Sequence, residues 1–282
     1  MSVPTLPLGS SSLTTEESAT HAIEFQDVHL AFEENQVLRG VSFCLPFGET
    51  KALLGVAGSG KSTILKLALG LLKPDSGRIF VLGNDVTQTQ ERDLFALRAK
   101  VGIVFQESAL FDSLTVRENV GYRLIEEHGV EDHDIEQRVR ETLQFVELEQ
   151  TIDKFPSELS GGMRRRVAIA RAIITQPEAL LYDSPTGGLD PITSNTIIEL
   201  IMKQRDVFKT SSLLVTHRLQ DAFTMATHQF DKQSNQMRSL PRGQYCDVPM
   251  SFLILRDGKV IFDGDVRQLA RTPDQYIREY IS

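Results

Sequence analysis

The chain has 282 residues, 38 acidic against 30 basic side chains and a formal net charge of −8 at pH 7. That length supports one large domain or two small ones with a sizeable core, and the acidic balance argues against a nucleic-acid partner, which needs a basic face to meet phosphates. No apolar stretch approaches the ~20 residues needed to cross a bilayer, and the two cysteines, Cys44 and Cys246, lie far apart outside any ligand motif, as expected of a reduced cytosolic protein.

Residues 1–20, MSVPTLPLGSSSLTTEESAT, carry neither a basic n-region nor a long apolar h-region. A secretory signal is therefore not expected, and the Ser/Thr/Pro content predicts a disordered tail. Strand-like segments follow at 23–32, 41–47, 51–56 and 77–83, crowded and hairpin-like, which predicts a small antiparallel sheet. Further strand patterns at 101–105, 179–183 and 212–216 alternate with helical ones, which implies a parallel sheet covered on both sides. Between about 107 and 160 the pattern is purely helical. In 163–174, MRRRVAIARAII, the side chains of Met163, Val167, Ala170 and Ile174 share one helix face. Residues 228–250 have little periodicity and read as a polar, loop-like insertion. The segment 252–262 then contains Asp257–Gly258, a two-residue hairpin signal.

The segment KALLGVAGSGKSTILKLALGLL fits strand, loop and helix in succession. Within it Gly55, Gly60, Lys61 and Ser62 satisfy G-x-x-x-x-G-K-[ST], with Gly58 and Ser59 inside the loop and Thr63 after it. Glycines let backbone N–H groups turn inward around an anion, and the helix that follows adds its positive end. Lys61 can span the β- and γ-phosphates, and Ser62 can offer its hydroxyl to Mg²⁺; an ordinary Gly/Ser turn with a solvated lysine does not account for the flanking strand and helix. A second apolar run, LLYD, ends in Asp183, an acid placed to hold Mg²⁺ once the phosphate loop is granted. The third unusual piece is Ser160–Gly161–Gly162 ahead of the amphipathic helix. A mere N-cap explains Ser160 but not two glycines, which weaken a helix start. Two bare amides at a positive helix end make better sense as an anion clamp for the γ-phosphate held by another subunit.

In their order these motifs resemble the nucleotide-binding subunit of an ATP-binding cassette (ABC) transporter. The resemblance covers roughly residues 22–282 and rests on GVAGSGKST, the glutamine of VFQES, LSGGM, LLYDSPTGGLDP and LLVTH. It implies an α/β P-loop NTPase fold: a RecA-like core, an antiparallel β-subdomain and an α-helical subdomain at about 107–175, making one domain over 21–282. It also implies head-to-tail dimers, homomeric or heteromeric, around two molecules of ATP with Mg²⁺. By that resemblance Phe32 stacks on adenine, with a core aromatic as the alternative. Gln106 contacts Mg²⁺ or the attacking water, Asp190 communicates across the dimer unless it merely starts a helix, and His217 contacts the γ-phosphate. The residue after the magnesium aspartate is usually a glutamate that serves as general base; here it is Ser184. A hydroxyl orients water but does not usefully accept its proton near neutral pH, and losing a positioned base lowers rates about 10²–10⁴-fold. Slow hydrolysis, or pairing with an intact ATPase subunit, is the expected result.

Met163 in place of the commoner Gln, ALFDSLTV after Gln106, DPITS at 190–194 and the ending DQYIREYIS resemble the ATPases of Mce/Mla-type lipid transporters. That resemblance implies a phospholipid or other lipid cargo and an integral-membrane permease contacting residues around 107–118. It further implies an Mce-type lipid-binding subunit and a peripheral site on the cytoplasmic face of the inner membrane. An importer ATPase for small molecules would carry the same phosphate machinery, and a non-transport, ATP-driven switch is the reading from another class.

Overall fold

The computed structural model describes residues 20–126, 131–241, 244 and 246–281; apart from Thr20, the expected N-terminal tail lies outside them. Two sheets form the frame. Strands β1 (His21–Phe32), β2 (Asn35–Pro46), β4 (Ser76–Val81) and β5 (Asn84–Asp85) make an antiparallel sheet in the order β2-β1-β4-β5. The second sheet contains β3 (Thr50–Gly55), β6 (Val101–Val104), β7 (Ala179–Asp183), β8 (Ser211–Val215), β11 (Met250–Arg256) and β12 (Lys259–Asp265), in the order β12-β11-β3-β8-β7-β6. It is parallel except for the β11–β12 hairpin at its edge.

The burial of the strands explains the class. Strands β3 and β8 are buried at every position, as continuous apolar runs are in a sheet covered on both faces. Alternation then distributes the side chains. Leu53, Leu181, Leu213 and Leu253 pack toward the antiparallel sheet and α1 (Lys61–Ala68). Leu180, Tyr182 and Leu214 face a helical core built by α3 (Val116–Glu126), α4 (Asp132–Phe145), α5 (Gly161–Ile173) and α6 (Pro191–Phe208). At the other end of the sheet, Ala52, Leu54, Phe252 and Ile254 pack on α7 (Leu219–Thr227), α8 (Val266–Ala270) and α9 (Gln275–Ile281). The remaining helix, α2 (Glu91–Ala99), leads into β6. The stretch 107–160 contains α3, α4 and two short 3₁₀ turns and, among the described residues, no strand. After the last hairpin α9 packs on its own chain, with Ile277 buried.

Residues 228–239, the first part of the expected insertion, are more ordered than their sequence predicts. Strands β9 (His228–Asp231) and β10 (Gln236–Ser239) form an antiparallel hairpin. Its turn is held by Asp231, whose carboxylate accepts from the Gln233 N–H (2.9 Å) and the Ser234 hydroxyl (3.0 Å), with Asn235 in the left-handed region that asparagine tolerates. The strands HQFD and QMRS lack the β-branched runs that announce a strand, because their order comes from a distant residue. Arg205 of α6 is fully buried and donates to both Asp206 carboxylate oxygens (2.7 and 3.0 Å), to Met225 O (2.5 Å) and to His228 O (2.9 Å). Asp206 in turn accepts from the Phe230 N–H at 2.7 Å. A buried charge pair satisfied in this way becomes costly when one partner is removed, by about 3–5 kcal/mol. Arg205→Ala is therefore expected to lower unfolding free energy by ~3 kcal/mol in urea titration; a loss below ~1 kcal/mol would show that the hairpin stands without this anchor.

Candidate functional site

The carboxyl ends of β3, β7 and β8 open onto one cleft of about 550 Å³, lined by Val37, Ala57, Gly58, Gly60, Lys61, Ser62, Thr63, Gln106, Ser184, Val215 and His217. The parallel sheet is what brings these distant segments together, at the strand ends where α/β folds bind ligands.

The loop after β3 turns back on itself, with Ser59 N–H donating to Val56 O at 3.2 Å. Gly58 sits at φ 78° with nothing within 4 Å of where a Cβ would stand. Its requirement is the left-handed backbone alone, which L side chains avoid. Gly60 caps α1 without a side chain, so the first N–H groups of the helix are presented to the cleft. The Lys61 ammonium is nearly buried and donates to Gly55 O (2.8 Å), Val56 O (2.7 Å) and, more weakly, Ser59 Oγ (3.4 Å). Burial pulls its pKa below the ordinary lysine value, and the Asp183 carboxylate opposes that shift. Asp183 itself meets Ser62, whose hydroxyl donates to Asp183 Oδ1 at 3.0 Å. A hydroxyl and a carboxylate in contact at the mouth of a phosphate loop are a donor set that fits Mg²⁺, a hard cation held through few protein oxygens and the substrate's phosphates. Among the described residues, no group of three or more His, Cys, Asp or Glu could hold a metal ion.

Ser184 is 7% exposed and lies at φ 46°, in the left-handed region, which costs a non-glycine residue about 1–2 kcal/mol. Its backbone is pinned on both sides. The N–H donates to Val215 O (2.9 Å), and the carbonyl accepts from Gly187 N–H (2.9 Å) and from Arg165 Nη1 (3.3 Å). Gln106 and His217 are exposed and line the cleft. Phe32 ends β1 opposite Asn35 and is 48% exposed, so it is no core aromatic; it is not among the residues that line the cleft, whereas Val37 is.

Ser160, Gly161, Gly162 and Asp190 lie outside this lining and form a second surface. Ser160 caps α5, accepting from Met163 N–H at 3.3 Å. A Cβ on Gly162 would come within 2.4 Å of Thr193 Cγ2 on α6. Close approach of α5 and α6 is thus a second reason for a glycine at this position, beside the anion clamp expected of the pair. Asp190 caps α6, accepting from the Ile192 and Thr193 N–H groups (3.0 Å each) and from the Thr193 hydroxyl (2.6 Å). Those bonds, the Thr193 hydroxyl first, hold its carboxyl below the usual range.

Two buried groups escaped the sequence reading. Arg165, 4% exposed, donates to the carbonyls of Phe105, Ser184 and Gly187 at 3.3 Å each, while its Nε has no hydrogen-bond partner. Burial pulls its pKa down, against the pull of Glu107. Each arginine of Arg164–Arg166 lies three and four residues before buried residues of α5, so helical spacing does not single out Arg165 and only the tertiary fold marks it. Asp221, at the start of α7, accepts from the Thr186 hydroxyl at 2.5 Å and lies 3.5 Å from Arg218 Nε. Burial raises its pKa, while Thr186, Arg218 and His217 oppose the rise. No sequence motif announces that pair. Because Arg165 joins the loops carrying Gln106 and Ser184 to α5, Arg165→Met is expected to lower ATP turnover at least ~10-fold and stability by ~1–3 kcal/mol, with the ATP dissociation constant changed less than ~3-fold. Unaltered turnover in a folded variant would remove it from the site's machinery.

Comparison with known proteins agrees with this geometry. The family described as ABC transporter matches residues 38–187. The chain is 38% identical over 267 residues to Protein TRIGALACTOSYLDIACYLGLYCEROL 3, chloroplastic, of Arabidopsis thaliana, covering 92% of this chain and 72% of that protein. It is 36% identical to the Mycobacterium leprae ribonucleotide transport ATP-binding protein mkl, over 72% of this chain and 59% of the relative. It is 40% identical to the sulfate/thiosulfate import ATP-binding protein CysA of Synechococcus elongatus, over 72% of this chain and 58% of the relative. The last two matches thus span little more than half of those longer proteins. Among solved structures, the ATP-binding cassette MJ0796, dimeric and bound to ADP and Pi, superposes with a TM-score of 0.72 at 28% identity, covering 87% of this chain and 99% of the other. The cassette cbiO1 of Clostridium perfringens gives 0.74 at 25% identity, covering 93% and 94%. Motifs, fold and relatives coincide, and the chain belongs to the ABC transporter family, as an ATP-binding subunit.

Proposed function

We propose that two copies of this chain, or one copy and a related cassette, close head to tail on two ATP molecules and use their hydrolysis to drive transport of a lipid through a membrane partner. The observation that carries the reading is the Ser62–Asp183 contact beside Lys61, since it assembles phosphate and cation groups from segments 121 residues apart. In this arrangement Lys61 leaves its own loop carbonyls for the β- and γ-phosphates, Phe32 covers the base, and the Gly58–Thr63 amides with Ser59 hold the phosphate chain. Ser62, Asp183 and Gln106 would hold Mg²⁺, whose charge offsets that of the phosphates. Gln106 and His217 orient the attacking water. Ser184 offers a hydroxyl where the family places a carboxylate and cannot take the water's proton, so turnover is slow. Ser160 and Gly161 meet the other subunit's γ-phosphate, and Asp190 faces the dimer interface.

A groove of about 560 Å³ next to the Gln106 loop supports a permease contact around 107–118. It is lined by Phe95, 70% exposed, by Phe105 and Arg171, and by the ring pair Phe111–Tyr122 with centroids 4.7 Å apart. Since no helix among the described residues is long and apolar enough to cross a membrane, we place the chain peripherally, on the cytoplasmic face, with an Mce-type lipid-binding subunit further along the assembly. Lipid cargo is supported by the galactolipid in the name of the Arabidopsis relative. The sulfate/thiosulfate, methionine and Fe(3+) import relatives favour a small-molecule importer as the second reading. Lys61→Ala is expected to abolish ATP binding in calorimetry, and Ser184→Glu to raise phosphate release by about 10²-fold. Undiminished binding by the first variant would overturn the assigned phosphate site; an unchanged rate in the second would place the slow step elsewhere.

A further inference from the structure

Helix α9 reaches the phosphate loop. The Gly55 N–H donates to the Tyr280 hydroxyl at 3.1 Å, and the Gly55 carbonyl accepts from Lys61 Nζ at 2.8 Å. One peptide residue therefore stands between a side chain of α9 and the ammonium of the phosphate site. Gly55 is where the sheet stops supporting β3. The β3–β8 ladder ends at Leu53 opposite Val215, so beyond that point β3 is paired only with β11, whose ladder reaches Gly55 opposite Leu255. The Tyr280 hydroxyl supplies a hydrogen-bond partner at the very residue where the strand becomes the loop.

Tyr280 is itself held in place. Its ring stacks on Tyr276 with centroids 6.1 Å apart and an interplanar angle of 12°, and the Arg256 guanidinium lies 3.9 Å from the Tyr276 ring centroid. Between these rings Ile277 is buried in the core formed with Leu54 and Ile254. Arg256 belongs to the β11–β12 turn, whose Gly258 carbonyl accepts from the Arg39 N–H at 2.8 Å. Arg39 lies two residues along β2 from Val37, which lines the nucleotide cleft. The module made by β11, β12 and α9 thus bonds to two segments that contribute residues to the cleft, β2 through Gly258 and the phosphate loop through Tyr280.

We propose that Tyr280 is a positioning residue for nucleotide binding, fixing the Gly55 peptide so that the loop keeps its phosphate-ready shape when Lys61 moves from Gly55 O to the nucleotide. The proposal rests on the reading of Lys61 as a phosphate ligand. Packing alone needs only the ring of Tyr280; the bond to Gly55 needs the hydroxyl, and that difference can be measured. Losing one hydrogen bond that preorganises a binding loop corresponds to about three- to tenfold in affinity.

The test compares full-length wild type, Tyr280→Phe, Tyr276→Phe and Lys61→Ala for MgATP affinity by calorimetry, for ATP turnover and for thermal unfolding. Tyr280→Phe is expected to weaken MgATP binding about three- to tenfold and raise KM in step, with kcat within twofold of wild type. Tyr276→Phe, which keeps its ring in the stack, should bind as wild type does. If Lys61→Ala loses binding while Tyr280→Phe binds as wild type, the positioning role fails and the phosphate site stands. Equal losses in both tyrosine variants would also overturn it, because ring packing rather than the hydroxyl would then be responsible. If Lys61→Ala binds normally, the underlying phosphate site is what fails. In the wild-type chain, the ring resonances of Tyr280 should shift on saturation with MgATP in NMR spectra of tyrosine-labelled protein; resonances that stay fixed count against the proposal without recourse to any variant.

Discussion

The contact between the Ser62 hydroxyl and the Asp183 carboxylate exists only because β3 and β7 run parallel with β8 between them. Each strand delivers its last residue to the same edge of the sheet, and the loops beyond that edge converge. Were β7 antiparallel to β3, Asp183 would lie at the far end of the sheet and the phosphate loop would face no acid. Continuous burial of β3 and β8 enforces that arrangement, since strands buried on both faces belong inside a parallel sheet covered by helices. Chemistry and core packing therefore share one cause.

Much of this site was legible because its groups lie at element boundaries, where local sequence is informative. The glycines and lysine between β3 and α1, the acid closing β7 and the histidine after β8 each follow an apolar run that predicts a strand; the loop and the histidine line one cleft, and the acid meets that loop through Ser62. What escaped was organised by tertiary contact. Strands β9 and β10 are polar and short, and depend on the buried Arg205–Asp206 pair, which in sequence is only two adjacent charges on a helix. Arg165 hides in a run of three arginines that reads as a solvated face. The partner of Gly55, Tyr280, is 225 residues away in sequence. Gly162 carries a requirement that the sequence did not show: its closeness to Thr193 leaves no room for a side chain there.

Ser184 combines two features that would separately pass unnoticed. Its side chain lacks the acidity expected beside the magnesium aspartate, while its backbone occupies a left-handed conformation secured by Val215, Gly187 and Arg165. On the proposed reading of the cleft, a hydroxyl held in this secured backbone would alter a rate rather than dismantle the site, because phosphoryl transfer relies on positioning and electrostatics carried by many groups.

Thr193 has a wider meaning than its size suggests. Its methyl group lies against Gly162 at the tip of α5, and its hydroxyl and N–H hold Asp190 at the tip of α6. Two helix ends that are 28 residues apart in sequence by residue number, at 162 and 190, are thereby locked through a single small side chain. A change at this one position would therefore alter both helix ends at once: a side chain without the methyl opens the gap beside Gly162, and one without the hydroxyl frees a carboxylate oxygen of Asp190.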